Sequence, residues 1–218
     1  MKQKDIFLKV EGNAWLDRNG AALANRRLPE DDPILMELLT FMPSTPGVRM
    51  KVLEVGCGDG VRLNWLKDNV NADCYGIEPS ADAVAAACAR GINCQQGTAD
   101  ALPFDSQSFD IVIFGFRLYL CDREDLFCIA SEADRVLRLP GWLTILDFFS
   151  PASRAKAYHH RPGVQSYKMD YRTLFDWHPD YVCVTHKIRH HGEARHTDDP
   201  DEWVAVSVLR KFKGQTDT

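Results

Sequence analysis

"VLEVGCGDG" (residues 52–60) carries the reading of the fold. It runs from an apolar strand pattern into three glycines, Gly56, Gly58 and Gly60, and then into the helical pattern "DGVRLNWLKDNV" (59–70). A glycine-rich turn between a strand and a helix lets a ligand approach the backbone without Cβ clashes. The spacing is G-x-G-x-G, whereas the dinucleotide fingerprint is G-x-G-x-x-G, and Val61 stands where the third dinucleotide glycine belongs.

Outward from this stretch, strand and helix patterns alternate. "MKVLEV" (50–55), "ADCYGIE" (72–78), "INCQQG" (92–97), "FDIVIFGF" (109–116) and "GWLTILDFF" (141–149) read as strands. "SADAVAAACARG" (80–91) reads as a helix with Ser80 as N-cap and Gly91 as stop. "DREDLFCIASEADRVLR" (122–138) reads as a helix capped by Asp122, with "LPG" (139–141) as the turn into the next strand. Strands apolar on both faces and separated by helices imply an α/β fold, with a parallel sheet covered on both sides. The tail differs. A polar connection (150–170) leads to a short helix near "YRTLFDW" (171–177), then to two strand-like runs, "YVCVTHKIRH" (181–190) and "EWVAVSVLRKF" (202–212). Only a polar loop joins these two, so they form an antiparallel hairpin, and the mostly parallel sheet ends on one reversed strand. Before the core, an irregular arm precedes "LPEDDPILMELLTFM" (28–42), where Asp31 or Asp32 caps a helix and Pro33 opens its first turn. "PSTPG" (43–47) then breaks the chain.

Length and composition fit one soluble domain: 218 residues, 45% hydrophobic, 26% charged. The net charge of -5 argues against broad nucleic-acid binding, which needs a basic face. No apolar run approaches a membrane span or a signal peptide, and the seven cysteines are scattered without a CxxC pair. A reducing, cytoplasmic setting is the expectation. The histidines lie partly as adjacent pairs, His159–His160 and His190–His191, whose side chains diverge on regular elements. No metal site is expected.

Three acids follow three successive strands. Glu54 stands two residues before Gly56, Glu78 closes "YGIEPS" (75–80), and Asp100 lies in "GTADALPF" (97–104). A carboxylate beside the glycine loop repels a pyrophosphate and attracts a cation. Glu78 can accept from two ribose hydroxyls. Asp100 can accept from an adenine amino group while the Ala101 amide donates to a ring nitrogen. The constellation suits a ligand with a ribose, an adenine, an ammonium group and no phosphate, features that S-adenosylmethionine combines.

On these segments, with "FDIVIFGF" and "EADRVLRLPGWLTILDF" (132–148), the chain resembles the class I S-adenosylmethionine-dependent methyltransferases over about half its length. The resemblance implies a Rossmann-like, doubly wound seven-stranded sheet of order 3-2-1-4-5-7-6 with strand 7 antiparallel and helices on both faces. It implies that Glu54, Val55, Gly56, Cys57 and Gly58 meet the methionine end, Glu78 and Pro79 the ribose, Asp100 and Ala101 the adenine, and Phe114 and Gly115 the region of the methyl. Residues 50–218 would form this domain. Residues 1–49, an N-terminal arm and helix, would lie on the substrate side as a lid.

The arm holds a dense aromatic-basic-amide cluster, Trp15, Arg18 and Asn19, similar to an arm in bacterial methylases of nonulosonic-acid and other surface-sugar pathways. With Arg117, Tyr119 and Tyr167 these residues are expected to face the acceptor. A hydroxyl acceptor needs a base, for which His159, His160 and Asp147 are the candidates. No Asn/Asp-Pro-Pro-aromatic motif follows "FDIVIFGF", which argues against base or glutamine amide nitrogens. The expected partner is a small-molecule acceptor, a sugar or another surface-glycan metabolite among them, taking the methyl on O or N. No membrane or nucleic-acid partner is expected, and the chain would be a monomer or homodimer. A non-catalytic S-adenosylmethionine-binding protein and, further off, a nicotinamide-dependent oxidoreductase are the competing readings.

Overall fold

The computed structural model describes residues 2–42, 48–193 and 195–212. Nine strands are described: β1 (Lys51–Val55), β2 (Asp73–Glu78), β3 (Asn93–Gln96), β4 (Phe109–Gly115), β5 (Leu137–Phe148), β6 (Arg154–Ala157), β7 (Gln165–Lys168), β8 (Tyr181–His190) and β9 (Trp203–Lys211). Seven of them form one sheet in the order β3-β2-β1-β4-β5-β9-β8. Neighbours from β3 to β5 pair in parallel, and β9 is antiparallel to both β5 and β8. With the separate hairpin β6–β7 set aside, this is the expected order 3-2-1-4-5-7-6. The reversed strand is the penultimate one, as that order places it. β9 is the inner member of the final hairpin and β8 lies outside it, a choice that loop length alone leaves open.

Residue parity along the central strand fills two cores. Ile111 and Ile113 of β4 pack with the helices α3 (Pro33–Leu38), α4 (Val61–Val70) and α5 (Ala81–Ala89) through Ile34, Leu63 and Ala87. Val112 and Phe114 face the opposite layer, where α6 (Leu126–Val136) contributes Ile129 and Ala133. Alternate residues of a strand point to opposite faces, so a strand covered on both sides must be apolar throughout. Ser80 caps α5 by accepting from Ala83 N at 3.1 Å. Asp32 caps α3 by accepting from Ile34 N at 3.0 Å and Leu35 N at 3.1 Å.

Several expectations are corrected. The arm is helical, not irregular: α1 (Gln3–Ile6) passes through a π-helical turn (Phe7–Glu11) into α2 (Gly12–Ala24). Gly12 hides the helix in the sequence and is required by packing, since a Cβ there would lie 3.0 Å from the Ser80 amide nitrogen. Asp122 does not cap its own segment. Its Oδ2 accepts from Gln3 N at 2.9 Å and so caps the arm helix from across the molecule. "LPG" lies within β5, in a register shift against β4. The polar connection after β5 contains the β6–β7 hairpin, and "YRTLFDW" supplies a single 3-10 turn, Tyr171–Leu174. "PSTPG" lies outside the described residues. Among the described residues no helix is long and apolar enough to cross a membrane.

Candidate functional site

The glycine loop lies at the carboxyl end of β1, where open α/β sheets bind ligands. Gly56 (φ 80°), Gly58 (φ 56°) and Gly60 (φ 75°) all adopt the left-handed backbone that favours glycine. The Gly56 amide donates to Ile77 O at 2.7 Å, tying the turn to β2. The space a Gly58 Cβ would enter is open to 4 Å. Glu78, buried at the end of β2, accepts from Gly58 N and Ser80 N, both at 3.0 Å. Burial raises its pKa, against the opposing pull of the Arg117 charge and these two amides.

Glu54 is also buried. Its Oε1 is paired with Arg62 Nη1, and Arg62 Nε donates to Asp32 Oδ2 at 2.9 Å. Gly115 makes room for this pair, because a Cβ there would lie 2.8 Å from Arg62 Nη1. Arg26 Nη1 reaches the same Asp32 oxygen at 3.4 Å. Two buried atoms of this cluster have no partner among the described residues, Glu54 Oε2 and Arg26 Nε. Burial pushes the Glu54 carboxyl up to about 7, with Arg62 opposing. Such orphaned groups are costly unless a ligand satisfies them.

Both acids and the loop line one cavity of about 700 Å³. Its other side is aromatic, built from the arm, the segment after β4 and the end of β5. Trp15, Phe116, Tyr119 and Phe148 contribute, with His191 beside them. Trp15 Nε1 donates to the Tyr119 hydroxyl at 3.2 Å, and Asn19 holds Trp15 O at 2.8 Å. The His191 ring centroid lies 4.9 Å from that of Phe148 and 5.3 Å from that of Phe116. Burial lowers the His191 pKa, which favours the neutral imidazole.

Glu54, Gly56, Cys57, Gly58, Glu78 and Gly115 thus meet on the cavity wall, with Trp15, Asn19, Arg117 and Tyr119. The other sequence candidates stand elsewhere. Val55 and Phe114 are in the core. Pro79 is buried, and its carbonyl accepts from Gln96 Nε2 at 2.9 Å. Asp100 is paired with Lys4 of the arm, and Ala101 is exposed beside it. Arg18 pairs with Glu11 and donates to the Tyr158 hydroxyl at 3.1 Å. Tyr167 lies under the Arg123 guanidinium, 4.0 Å from Cζ to ring centroid. His159 and His160 are exposed, with ring centroids 3.7 Å apart, and neither lines the cavity. Asp147 is buried, and its carboxylate accepts from the amides of Leu118 (2.7 Å), Tyr119 (3.2 Å) and Phe148 (2.8 Å). It shapes the backbone that carries Tyr119 and does not line the cavity.

Arg26, Arg62, Phe116, Phe148 and His191 are cavity residues that the sequence reading did not single out for this role. The histidine signal was visible only as the adjacent pair His190–His191. Pairing decides its place: His190 is opposite Trp203, and Val204 is opposite Phe148, so the end of β8 arrives beside the end of β5. Among the described residues no group of three His, Cys, Asp or Glu side chains is arranged to hold a metal ion.

Residues 52–141 match the family model described as a methyltransferase domain. A fatty-acid O-methyltransferase of Mycolicibacterium smegmatis is 33% identical over 102 residues, which are 44% of this chain and 36% of that protein. The uncharacterized methyltransferase YcgJ of Bacillus subtilis is 28% identical over 108 residues, 46% of this chain and 42% of the relative. The chain therefore matches less than half the length of either relative. Among solved structures, the 1,6-didemethyltoxoflavin-N1-methyltransferase of Burkholderia thailandensis, with its substrate and S-adenosylhomocysteine bound, superposes with a TM-score of 0.69 at 13% identity, covering 98% of this chain and 91% of that one. A S-adenosylmethionine-dependent methyltransferase of Methanosarcina mazei gives 0.64 at 14% identity, covering 82% and 98%. These likenesses at low identity carry the fold. The chain thus carries a segment, residues 52–141, that matches a methyltransferase domain, and it has the fold of S-adenosylmethionine-dependent methyltransferases of known structure.

Proposed function

We propose that the protein transfers a methyl group from S-adenosylmethionine to an oxygen or nitrogen of a small molecule. The observation that carries the reading is Glu54 Oε2, a buried carboxylate oxygen without a partner among the described residues, in a residue on the wall of a ligand-sized cavity. The residues present fit the cofactor. Glu54 Oε2 suits its ammonium and Arg26 Nε its carboxylate, while Glu78 and the open space at Gly58 suit the ribose. The named acceptors of two similar proteins, a fatty acid and 1,6-didemethyltoxoflavin, are small molecules, which supports that class here.

When bound, S-adenosylmethionine supplies an electrophilic methyl on a sulfonium. The chain holds the acceptor in line and excludes water, which favours a displacement that disperses charge. Trp15, Phe116, Tyr119 and Phe148 form the dry wall, and α2 acts as the lid that carries Trp15. His191, neutral in this setting, accepts the proton of a hydroxyl acceptor. It takes the role first assigned to His159, His160 and Asp147.

Calorimetric titration with S-adenosylmethionine, followed by measurement of S-adenosylhomocysteine release with a panel of small hydroxyl and amine acceptors, tests the reading. Saturable binding and acceptor-stimulated release are expected. Binding without release for every acceptor would leave a cofactor-binding protein, and preference for a nicotinamide dinucleotide would sink the reading.

A further inference from the structure

Arg117 follows β4 and lines the cavity, and the cofactor contacts proposed above do not use it. It is 8% exposed, and its guanidinium makes no hydrogen bond or ion pair with any described residue. Its stem is pinned against the glycine loop, where a Cβ on Gly56 would lie 2.9 Å from Arg117 Cδ. Its Cζ is 5.5 Å from the centroid of the Phe7 ring. The charge bears on both Glu78 and Tyr119, which places it between the acid at the glycine loop and the aromatic wall. No hydrogen bond or ion pair joins Arg117 to Glu78, whose oxygens accept from the Gly58 and Ser80 amides.

A guanidinium on a cavity wall with no hydrogen-bond acceptor among the described residues has its donors available to an anion. Its planar fork of donors matches a carboxylate in two parallel hydrogen bonds. Two anions could fill it, the carboxylate of the cofactor or an anion on the acceptor. The cofactor's amino-acid end has its own pair of orphaned groups, Glu54 Oε2 for the ammonium and Arg26 Nε for the carboxylate, both linked through Arg62 and Asp32. Among the described residues Arg117 is not bonded into that cluster, and its charge bears on Tyr119. We infer that the methyl acceptor is an organic acid, its carboxylate held by Arg117 and its apolar body held by Trp15, Phe116, Tyr119 and Phe148. The inference rests on the methyltransferase reading and adds the charge of the acceptor to it.

The test uses the full chain saturated with S-adenosylhomocysteine and measures binding of matched probes by ligand-observed NMR and calorimetry. The probes are phenylacetate against phenylacetamide, decanoate against decanamide, and phenyl phosphate. Acids are expected to bind about tenfold or more tightly than their amides, the worth of a charge-assisted pair. Arg117→Leu should abolish the difference and Arg117→Lys should keep part of it. The acid preference should fall by more than S-adenosylmethionine affinity in both variants, because the cofactor's carboxylate is held elsewhere. Equal binding of acid and amide by the unaltered protein, including no binding of either, overturns the inference. So does a loss of S-adenosylmethionine affinity in Arg117→Leu with the acid preference intact, which would assign Arg117 to the cofactor. Tighter binding of phenyl phosphate than of either acid overturns the carboxylate assignment. Failure of the methyltransferase reading would register separately, as absent S-adenosylmethionine binding in the unaltered protein.

Discussion

The indole Nε1 of Trp15 donates to the hydroxyl of Tyr119 at 3.2 Å, joining the N-terminal helix to the segment after β4. The two residues are far apart in sequence, and their contact closes the aromatic side of the cavity. Trp15→Phe keeps the ring and loses the hydrogen bond, worth about 1 kcal/mol, so acceptor KM should rise about fivefold. Trp15→Ala should raise it further while the cofactor Kd changes little. Steady-state kinetics with calorimetry check this, and a fall in melting temperature with unchanged KM would make the contact purely structural.

Glu54 gives the site a pH dependence. Its carboxyl is pushed up to about 7 in the folded protein from an ordinary value of 4.5. A raised folded pKa means that its contribution to stability is full below the ordinary value and is lost as pH rises through about 7. The cationic cofactor prefers the carboxylate, so its affinity should rise as pH increases through the same window. Glu54→Gln should bind the cofactor more weakly and flatten this component of both profiles. Thermal melts and calorimetry across that range are the measurements.

Glu78→Ala removes a carboxylate on the cavity wall and also unpairs the Gly58 and Ser80 amides. Cofactor binding should weaken by roughly 2–4 kcal/mol. Unchanged affinity would show that Glu78 only braces the loop.

Asp147→Ala leaves three backbone amides, those of Leu118, Tyr119 and Phe148, without their acceptor. Denaturant unfolding should show a loss of about 3–5 kcal/mol, the scale for a buried charged hydrogen-bond partner. Asp147→Asn should lose less.

His191→Gln should lower kcat with a hydroxyl acceptor by about a hundredfold to ten-thousandfold while leaving cofactor Kd unchanged. His159→Ala and His160→Ala should leave turnover near its starting level, since both rings are exposed and lie off the cavity wall.

Local rules made much of this legible. The glycine spacing, Ser80 and Asp32 as caps, and the doubly apolar β4 pattern are short-range signals, and each describes a short-range structure. Glu54, Glu78 and the glycines were legible as a site because each follows a strand directly, and parallel strands bring their carboxyl ends to one edge. The arm was illegible as a helix. Its glycine is required by contact with Ser80, and its N-terminal amides are satisfied by Asp122 rather than by a local cap.

The sequence by itself determined the α/β class and the meeting of Glu54, Glu78 and the glycines at one sheet edge, because those follow from residue order along consecutive strands, whereas it did not place Asp100 off the cavity wall or Arg26 and Arg62 on it. Tertiary structure alone decided the aromatic side of the cavity. The β8–β9 pairing carries His191 to Phe148, the arm brings Trp15 to Tyr119, and Asp147 is consumed by backbone amides. It also left Arg117 on the cavity wall without a hydrogen-bond partner for its guanidinium among the described residues. These outcomes depend on which distant groups satisfy one another's hydrogen bonds and charges once packed, and no local spacing encodes that.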